Sequence, residues 1–167
     1  PLPPRDSSGP PIEAPLETWT WVPIAGMTCG DGSPTGVGVN LTRRSERLVV
    51  FLNGGGACWD AQTCFVLHSA AGIDTGFGAP DFMQAAGSVA ASPLFQRGAA
   101  APFPDASYVF VPYCTGDVHA GNRQDATLQG VVGPQQFVGY NNVGHFLNRV
   151  VPTFLGDVDH VLVTGQS

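Results

Sequence analysis

The chain has 167 residues, a length typical of one compact domain, and 43% of them are hydrophobic, enough to form a sizeable core. The formal net charge is −6, and all 7 basic residues are arginines. No basic stripe runs along the sequence, and this argues against nucleic acid as a partner, because neutralising phosphates requires clustered Arg or Lys on one face.

The N-terminal residues and the one basic cluster carry little functional signal. Residues 1–15 are rich in Pro, Ser and Gly, which predicts a flexible linker left after export processing, so the domain is expected to cover 16–167. No apolar run approaches the roughly 20 residues that a membrane span needs. Arg43, Arg44 and Arg47 form the only basic cluster, which we interpret as the solvated tip of a hairpin before a buried strand.

The first predicted elements are two strands. Residues 19–22 and 37–41 are alternating or β-branched runs, and the turn-rich segment 29–34 lies between them. We expect these two strands to be antiparallel.

Three later runs predict a parallel sheet. Residues 48–52 are continuously apolar and end abruptly in glycines, and residues 108–111 and 160–163 show similar apolar runs. Far more chain separates these strands than a hairpin needs, so crossover connections are expected. The last crossover is a helix, since apolar side chains recur at steps of three or four at Phe137, Tyr140, Val143, Leu147, Val150 and Phe154. Residues 61–101 predict short helices and loops without clear boundaries.

Four cysteines occur, at positions 29, 58, 64 and 114. Four cysteines can pair in three ways, and their spacing matches no common metal site. Disulfides are therefore expected, and with them an oxidising compartment.

The last predicted strand runs directly into Gly165-Gln166-Ser167. A buried strand followed by Gly-x-Ser is the first half of a nucleophile elbow, in which a strained turn projects the serine hydroxyl above the sheet. The second half of the elbow is absent from the sequence. An ordinary turn at a strand end is the alternative.

A second glycine segment, Gly54-Gly55-Gly56, also follows a buried strand. A loop without side chains lets backbone N–H groups approach an acyl oxygen and form an oxyanion hole. The alternatives are a tight strand-to-helix turn and a phosphate-cradling loop. Neither Gly-Lys-Ser/Thr nor Gly-x-Gly-x-x-Gly is present, so we expect no nucleotide cofactor, and no metal.

Four motifs occur in an order that resembles the Notum and pectin acetylesterase family: residues 29–36, residues 51–58 with Cys64, residues 111–119, and residues 165–167. The resemblance covers nearly all of residues 19–167. It implies an α/β-hydrolase fold with a mostly parallel sheet and flanking helices, incomplete in this chain. It also implies a Ser-Asp-His triad in that order, whose Asp and His would lie outside this chain.

Carried over residue by residue, the resemblance makes Ser167 the nucleophile and gives the oxyanion N–H groups to Gly55 and Gly56. A third donor would be the residue after Ser167. The family pairing would join Cys29 to Cys114 and Cys58 to Cys64. We further expect the substrate site to be lined by Gly54, Ala57, Trp59, Asp117 and His119.

Two points at this expected site stay open. Animal members carry a large aromatic residue in the oxyanion loop, where Gly56 and Ala57 stand here, so the acyl-chain preference is not fixed. Asp117 and His119 could instead brace the loop that Cys114 holds.

The expected function is that of a secreted or periplasmic serine carboxylesterase that deacetylates a polysaccharide. A polyester- or lipid-cleaving esterase of the same fold is one alternative. A non-catalytic binding module that retains the fold is another. Because the sheet would be left with a bare central strand, we expect a second polypeptide to carry the C-terminal half of the fold.

Overall fold

The computed structural model describes residues 9–167. Residues 1–8 of the expected linker lie outside the described residues. Within the remainder of that segment, Ile12 is only 6% exposed and belongs to the main hydrophobic core. Its N–H donates to Thr153 Oγ1 at 2.8 Å. The expected flexibility is therefore wrong at Ile12, which the sequence does not reveal because one apolar residue among prolines has no periodicity.

Within residues 9–167, seven strands form two sheets. Their bounds are β1 (Thr20–Thr28), β2 (Pro34–Asn40), β3 (Arg47–Leu52), β4 (Ser107–Val111), β5 (Arg123–Ala126), β6 (Gln135–Phe137) and β7 (His160–Gly165). The main sheet has the order β1-β2-β4-β3-β7, and β5 pairs with β6. The pairs β1–β2 and β2–β4 are antiparallel, whereas β3 is parallel to both β4 and β7. The predicted antiparallel entry and the three parallel strands are thus confirmed.

The interpretation of the arginine cluster as a hairpin tip is wrong. Strand β4 lies between β2 and β3, so the segment that joins these two strands crosses an edge of the sheet. Arg44 forms an ion pair with Glu17, and Arg47 lies 3.5 Å from a carboxylate oxygen of Asp105.

Two α-helices are present in the described residues, α1 (Ala79–Ala91) and α2 (Gly139–Phe154). A single π-helical turn spans Gln62–Val66 and a short 3₁₀ helix spans Pro93–Phe95. Helix α2 is the predicted crossover, although Phe137 lies in β6, before the helix begins. No helix within residues 9–167 is long and apolar enough to cross a bilayer.

The core lies on both faces of the main sheet. On β3, Leu48 and Val50 join the cluster that includes Phe146 and Val150 of α2. Val49 of the same strand faces the opposite cluster, together with Tyr108. Burial on both faces explains why β3 and β4 are continuously apolar rather than alternating.

Strand β7 is at the edge of the main sheet and pairs with β3 alone among the described strands. Val161, Leu162 and Val163 are 60%, 38% and 62% exposed. The expectation that this apolar run is a buried strand is therefore wrong for the described residues, because none of them packs on the outer edge of β7.

Candidate active site

The carboxyl edge of the parallel strands brings the two glycine segments together. Strands β3 and β7 pair in parallel with Leu52 opposite Gly165. The residues that follow them, Gly54 and Ser167, leave the sheet at the same edge. A hydrogen bond joins the two motifs there: Gln166 Nε2 donates to Asn53 Oδ1 at 3.0 Å, although the two residues are 113 positions apart in sequence.

Gly54 is in direct backbone contact with the serine turn. A Cβ at this position would clash with the carbonyl oxygen of Gln166 and would stand 2.8 Å from Ser167 Cα. Glycine is thus required so that the loop and the serine can approach each other. Ser167 itself is exposed.

Gly55 and Gly56 are held in place by neighbours on the protein side. A Cβ on Gly55 would lie 2.5 Å from the Tyr113 ring, and Gly56 has φ +80° with the carbonyl oxygen of Ser69 close to where its Cβ would be. The Gly55 carbonyl accepts the Ala71 N–H at 2.8 Å, and the Gly56 carbonyl accepts the Tyr113 hydroxyl at 2.6 Å.

The N–H groups of this loop have a different environment from its carbonyls. The N–H groups of Gly54, Gly55 and Gly56 donate to no acceptor in the described part of the chain. The loop is half-buried to exposed. A glycine loop with bonded carbonyls and free N–H groups beside a serine is suited to bind an oxyanion.

Asp117 is placed at the start of α2. Its carboxylate accepts the Thr115 hydroxyl at 2.6 Å and the N–H of Gly139, the first residue of α2, at 2.7 Å. A carboxylate at a helix N-terminus satisfies a free N–H group and interacts favourably with the helix dipole. These contacts correspond to the bracing alternative for Asp117.

His119 also contacts the glycine loop. Its Nε2 lies 2.8 Å from the backbone carbonyl of Asn53, so this nitrogen donates its proton there. The ring is 5.1 Å from that of Tyr113, centroid to centroid. His119 therefore supports the residue that precedes Gly54.

Ala57 and Trp59 occupy the continuation of the loop. Ala57 forms an isolated antiparallel bridge with Asp117. Trp59 is 70% exposed and follows Cys58 at the start of a small disulfide loop. Both expected bridges are present, Cys58–Cys64 with Cα atoms 5.0 Å apart and Cys29–Cys114 with Cα atoms 4.9 Å apart.

Two residues of this edge were missed as site residues in the sequence, although both lie inside the quoted motifs. Asn53 donates its N–H to the Val111 carbonyl at 2.9 Å and so joins β3 to β4. Tyr113 is only 3% exposed, and burial raises the pKa of its hydroxyl. The signal that could have found them is their position directly after two adjacent parallel strands.

A cavity lies at the opposite edge of the sheet. It has a volume of about 1080 Å³ and is formed at the amino edge of the same sheet by residues such as Arg43, Glu46, Asp105 and His160. None of the predicted site residues lines it. No group of three or more metal-ligating side chains occurs within residues 9–167.

Comparison with known proteins identifies the family. The family model for pectinacetylesterase matches residues 18–167.

The chain belongs to the pectinacetylesterase family.

One relative is palmitoleoyl-protein carboxylesterase notum2 from Xenopus laevis, which is 27% identical to this chain over 150 residues. The match covers 84% of this chain and 27% of that protein. The inactive palmitoleoyl-protein carboxylesterase notum1b from Danio rerio is 31% identical over 108 residues, which cover 64% of this chain and 75% of that relative. The chain thus spans about a quarter of the length of the Xenopus relative.

A solved structure supports the fold. The structure of the Wnt deacylase Notum from Drosophila superimposes with a TM-score of 0.61 at 20% identity, covering 92% of this chain and 42% of that one. The expected family and an α/β-hydrolase-like fold are therefore confirmed.

Proposed function

We propose that the protein is a serine carboxylesterase with Ser167 as nucleophile. The observation that carries the proposal is the contact of Gly54 with the Ser167 turn, because it brings a loop of free N–H groups beside the serine. Ser167 Oγ would attack the ester carbonyl carbon while a histidine takes its proton. The N–H groups of Gly55 and Gly56 would stabilise the oxyanion of the tetrahedral intermediate, which would collapse as the C–O bond to the alcohol breaks and the alcohol leaves with the proton from the histidine. Water would then hydrolyse the acyl-enzyme, which releases the acid and restores the Ser167 hydroxyl.

The triad acid and histidine are proposed to lie outside these 167 residues. Among the described strands, β7 is paired on one side only, and it has three exposed apolar side chains, which a further part of the fold would cover. The sequence led us to expect that this part belongs to a second polypeptide. Intact-mass measurement of the purified natural protein distinguishes a second polypeptide from a longer single chain.

Acetyl groups on a polysaccharide are the proposed substrate. The support is the matched pectinacetylesterase family model and the small residues at Gly56 and Ala57, where animal relatives were expected to carry a large aromatic. A long-chain acyl ester is the second candidate, because several relatives are palmitoleoyl-protein carboxylesterases. A polyester, an alternative expected from the sequence alongside lipid esters, is a further candidate.

An extracytoplasmic location is proposed from the two disulfides. Such bonds persist in oxidising compartments and are rare in the cytosol.

A panel of esters tests both activity and substrate. The full-length protein is assayed on acetate and longer-chain p-nitrophenyl esters, on an acetylated polysaccharide and on a polyester. We expect acetate to be preferred and Ser167→Ala to abolish hydrolysis. Ser88→Ala is the matched control, because Ser88 is exposed on α1 and its hydroxyl bonds only the local Ala85 carbonyl.

Each other outcome has a meaning. Retained hydrolysis in Ser167→Ala would refute the nucleophile. A preference for long acyl chains would favour the second substrate class. A wild-type protein that cleaves no ester would favour a binding module; the Danio rerio relative is likewise named as inactive.

A further inference from the structure

Tyr113 joins the glycine loop to the segment that follows β4. Its hydroxyl donates to the Gly56 carbonyl at 2.6 Å and accepts the Val118 N–H at 2.9 Å. Its ring lies against Gly55, where a Cβ would be 2.5 Å away. One side chain thus contacts both glycines that are proposed to stabilise the oxyanion.

The loop needs such a contact because glycine backbone is free to rotate. Gly56 has φ +80°, and three consecutive glycines place few steric limits on their peptide planes. In a planar trans peptide, the carbonyl and the following N–H point in opposite directions. Holding the Gly56 carbonyl therefore fixes the plane of the Gly56–Ala57 peptide, which carries the Ala57 N–H. The Gly56 N–H belongs to the preceding peptide, whose Gly55 carbonyl accepts the Ala71 N–H at 2.8 Å, so the bond to Tyr113 limits the rotation of Gly56 from the other side.

Tyr113 is itself held firmly. It is only 3% exposed, and the next residue, Cys114, is bonded to Cys29. Val118 and His119 take up left-handed backbone conformations, with φ of 53° and 59°, which bring the Val118 N–H to the hydroxyl. Burial raises the pKa of Tyr113, so its hydroxyl keeps the proton that it donates.

We propose that Tyr113 is a positioning residue that holds the oxyanion loop in its active orientation through the hydrogen bond to the Gly56 carbonyl. The proposal rests on the esterase function proposed above. Tyr113 does not touch the ester. It acts on the transition state through the loop, so its loss should lower kcat and leave KM nearly unchanged.

Tyr113→Phe tests the proposal in the full-length protein, because it removes the hydroxyl and keeps the ring. On p-nitrophenyl acetate we expect kcat to fall by about tenfold to a hundredfold, with KM within about twofold. Tyr108→Phe is the matched control. Tyr108 is also fully buried, and its hydroxyl also donates to one backbone carbonyl, that of Phe103, away from the loop.

Both variants should lose stability in urea unfolding, Tyr113→Phe the more so because the Val118 N–H also loses its acceptor. Only Tyr113→Phe should lose kcat. Unchanged kcat in Tyr113→Phe, or an equal loss in Tyr108→Phe, would overturn the proposal while the esterase function stands. A wild-type protein without esterase activity would remove both.

A fluorinated tyrosine at position 113 provides a second test that retains the hydroxyl and hence the fold. The phenol of 2,3,5-trifluorotyrosine ionises at a lower pH than that of tyrosine, and the phenolate can no longer donate to the Gly56 carbonyl. We expect kcat to fall in step with the phenolate absorbance, at a lower pH than in the wild type. Constant kcat while the phenolate forms would contradict the proposal.

Discussion

The two edges of the main sheet are built in different ways. At the carboxyl edge, Gly54 and Gly55 pack so closely that neither has room for a Cβ, and both disulfides lie nearby. At the amino edge, charged side chains surround a cavity of about 1080 Å³. The cavity is thus at one edge, and the closely packed backbone with free N–H groups is at the other.

This contrast shows where an acyl-transfer site is to be sought. Oxyanion stabilisation depends on N–H groups fixed in advance, which requires tight packing behind the loop more than a deep cavity. In a sheet of parallel strands, the loops at the carboxyl edge are also where binding sites usually form. The comparison therefore predicts large effects for changes at the carboxyl edge and small effects at the amino edge.

The largest expected effect is the loss of the Cys29–Cys114 bridge, which closes a long loop with a sequence separation of 85. The double change Cys29→Ala, Cys114→Ala should lower the free energy of unfolding by about 4–5 kcal/mol, because the unfolded chain gains loop entropy. Urea unfolding of the full-length protein measures it.

The short bridge supplies the control. Cys58 and Cys64 are separated by 6 residues, so their double alanine variant should lose only about 2 kcal/mol. An equal loss for the two bridges would show that the entropic argument does not apply here.

Next in size is the effect of Gly54→Ala on activity. The added Cβ would press on the Gln166 carbonyl and Ser167 Cα, which separates the serine from the oxyanion loop. We expect kcat/KM for an acetyl ester to fall by about a hundredfold or more, as for the loss of an oxyanion donor.

Gly87→Ala is the matched control, because it adds the same methyl group at a position where nothing obstructs it. Gly87 lies inside α1, and nothing lies within 4 Å of its ideal Cβ. This variant should keep full activity and gain about 0.5–1 kcal/mol of stability, because alanine favours helix. Equal activity losses in the two variants would contradict the close-approach argument.

Much of the fold could be predicted from the sequence because the parallel strands are buried on both faces. The continuous apolar runs of β3 and β4 reflect that burial, and the crossover helix α2 shows its apolar face at helical spacing. The region between them was not predictable in the same way. Its π-helical turn at Gln62–Val66 depends on the short disulfide and on Asp60, and not on a periodic pattern.

The candidate site was predictable where glycine was required and not where side chains support the backbone. Gly54 and Gly55 are recognisable because only glycine permits the close approach seen here. The role of Asp117 as the cap of α2 could not be predicted, because it depends on a contact with Gly139, 22 residues away. Tyr113 was overlooked for the same reason, since its partner Gly56 is 57 residues distant.

A smaller effect is expected for Asp117→Ala, which removes the acceptor at the start of α2. The Gly139 N–H would lose its acceptor, and the helix dipole would lose the negative charge at its N-terminus. The free energy of unfolding, measured in urea, should therefore fall by about 1–2 kcal/mol. Asp117→Asn keeps an acceptor oxygen and should lose less. Asp81→Ala, at the exposed start of α1, is the control and should leave the activity unchanged.

The smallest effects are expected at the amino edge, where Arg47→Ala and Arg44→Ala remove the ion pairs with Asp105 and Glu17. The arginine side chains are 55% and 52% exposed, and exposed ion pairs contribute about 0–1 kcal/mol because water and salt screen them. The free energy of unfolding should change by less than about 1 kcal/mol, and kcat/KM for acetyl esters by less than about twofold.

The same two variants test whether the substrate binds in the cavity at the amino edge. Both arginines line that cavity, so an ester bound there would lose a charged neighbour in either variant. A tenfold fall in kcat/KM in Arg47→Ala, without a matching loss of stability, would indicate that the ester binds at the amino edge and would contradict the proposed site at the carboxyl edge.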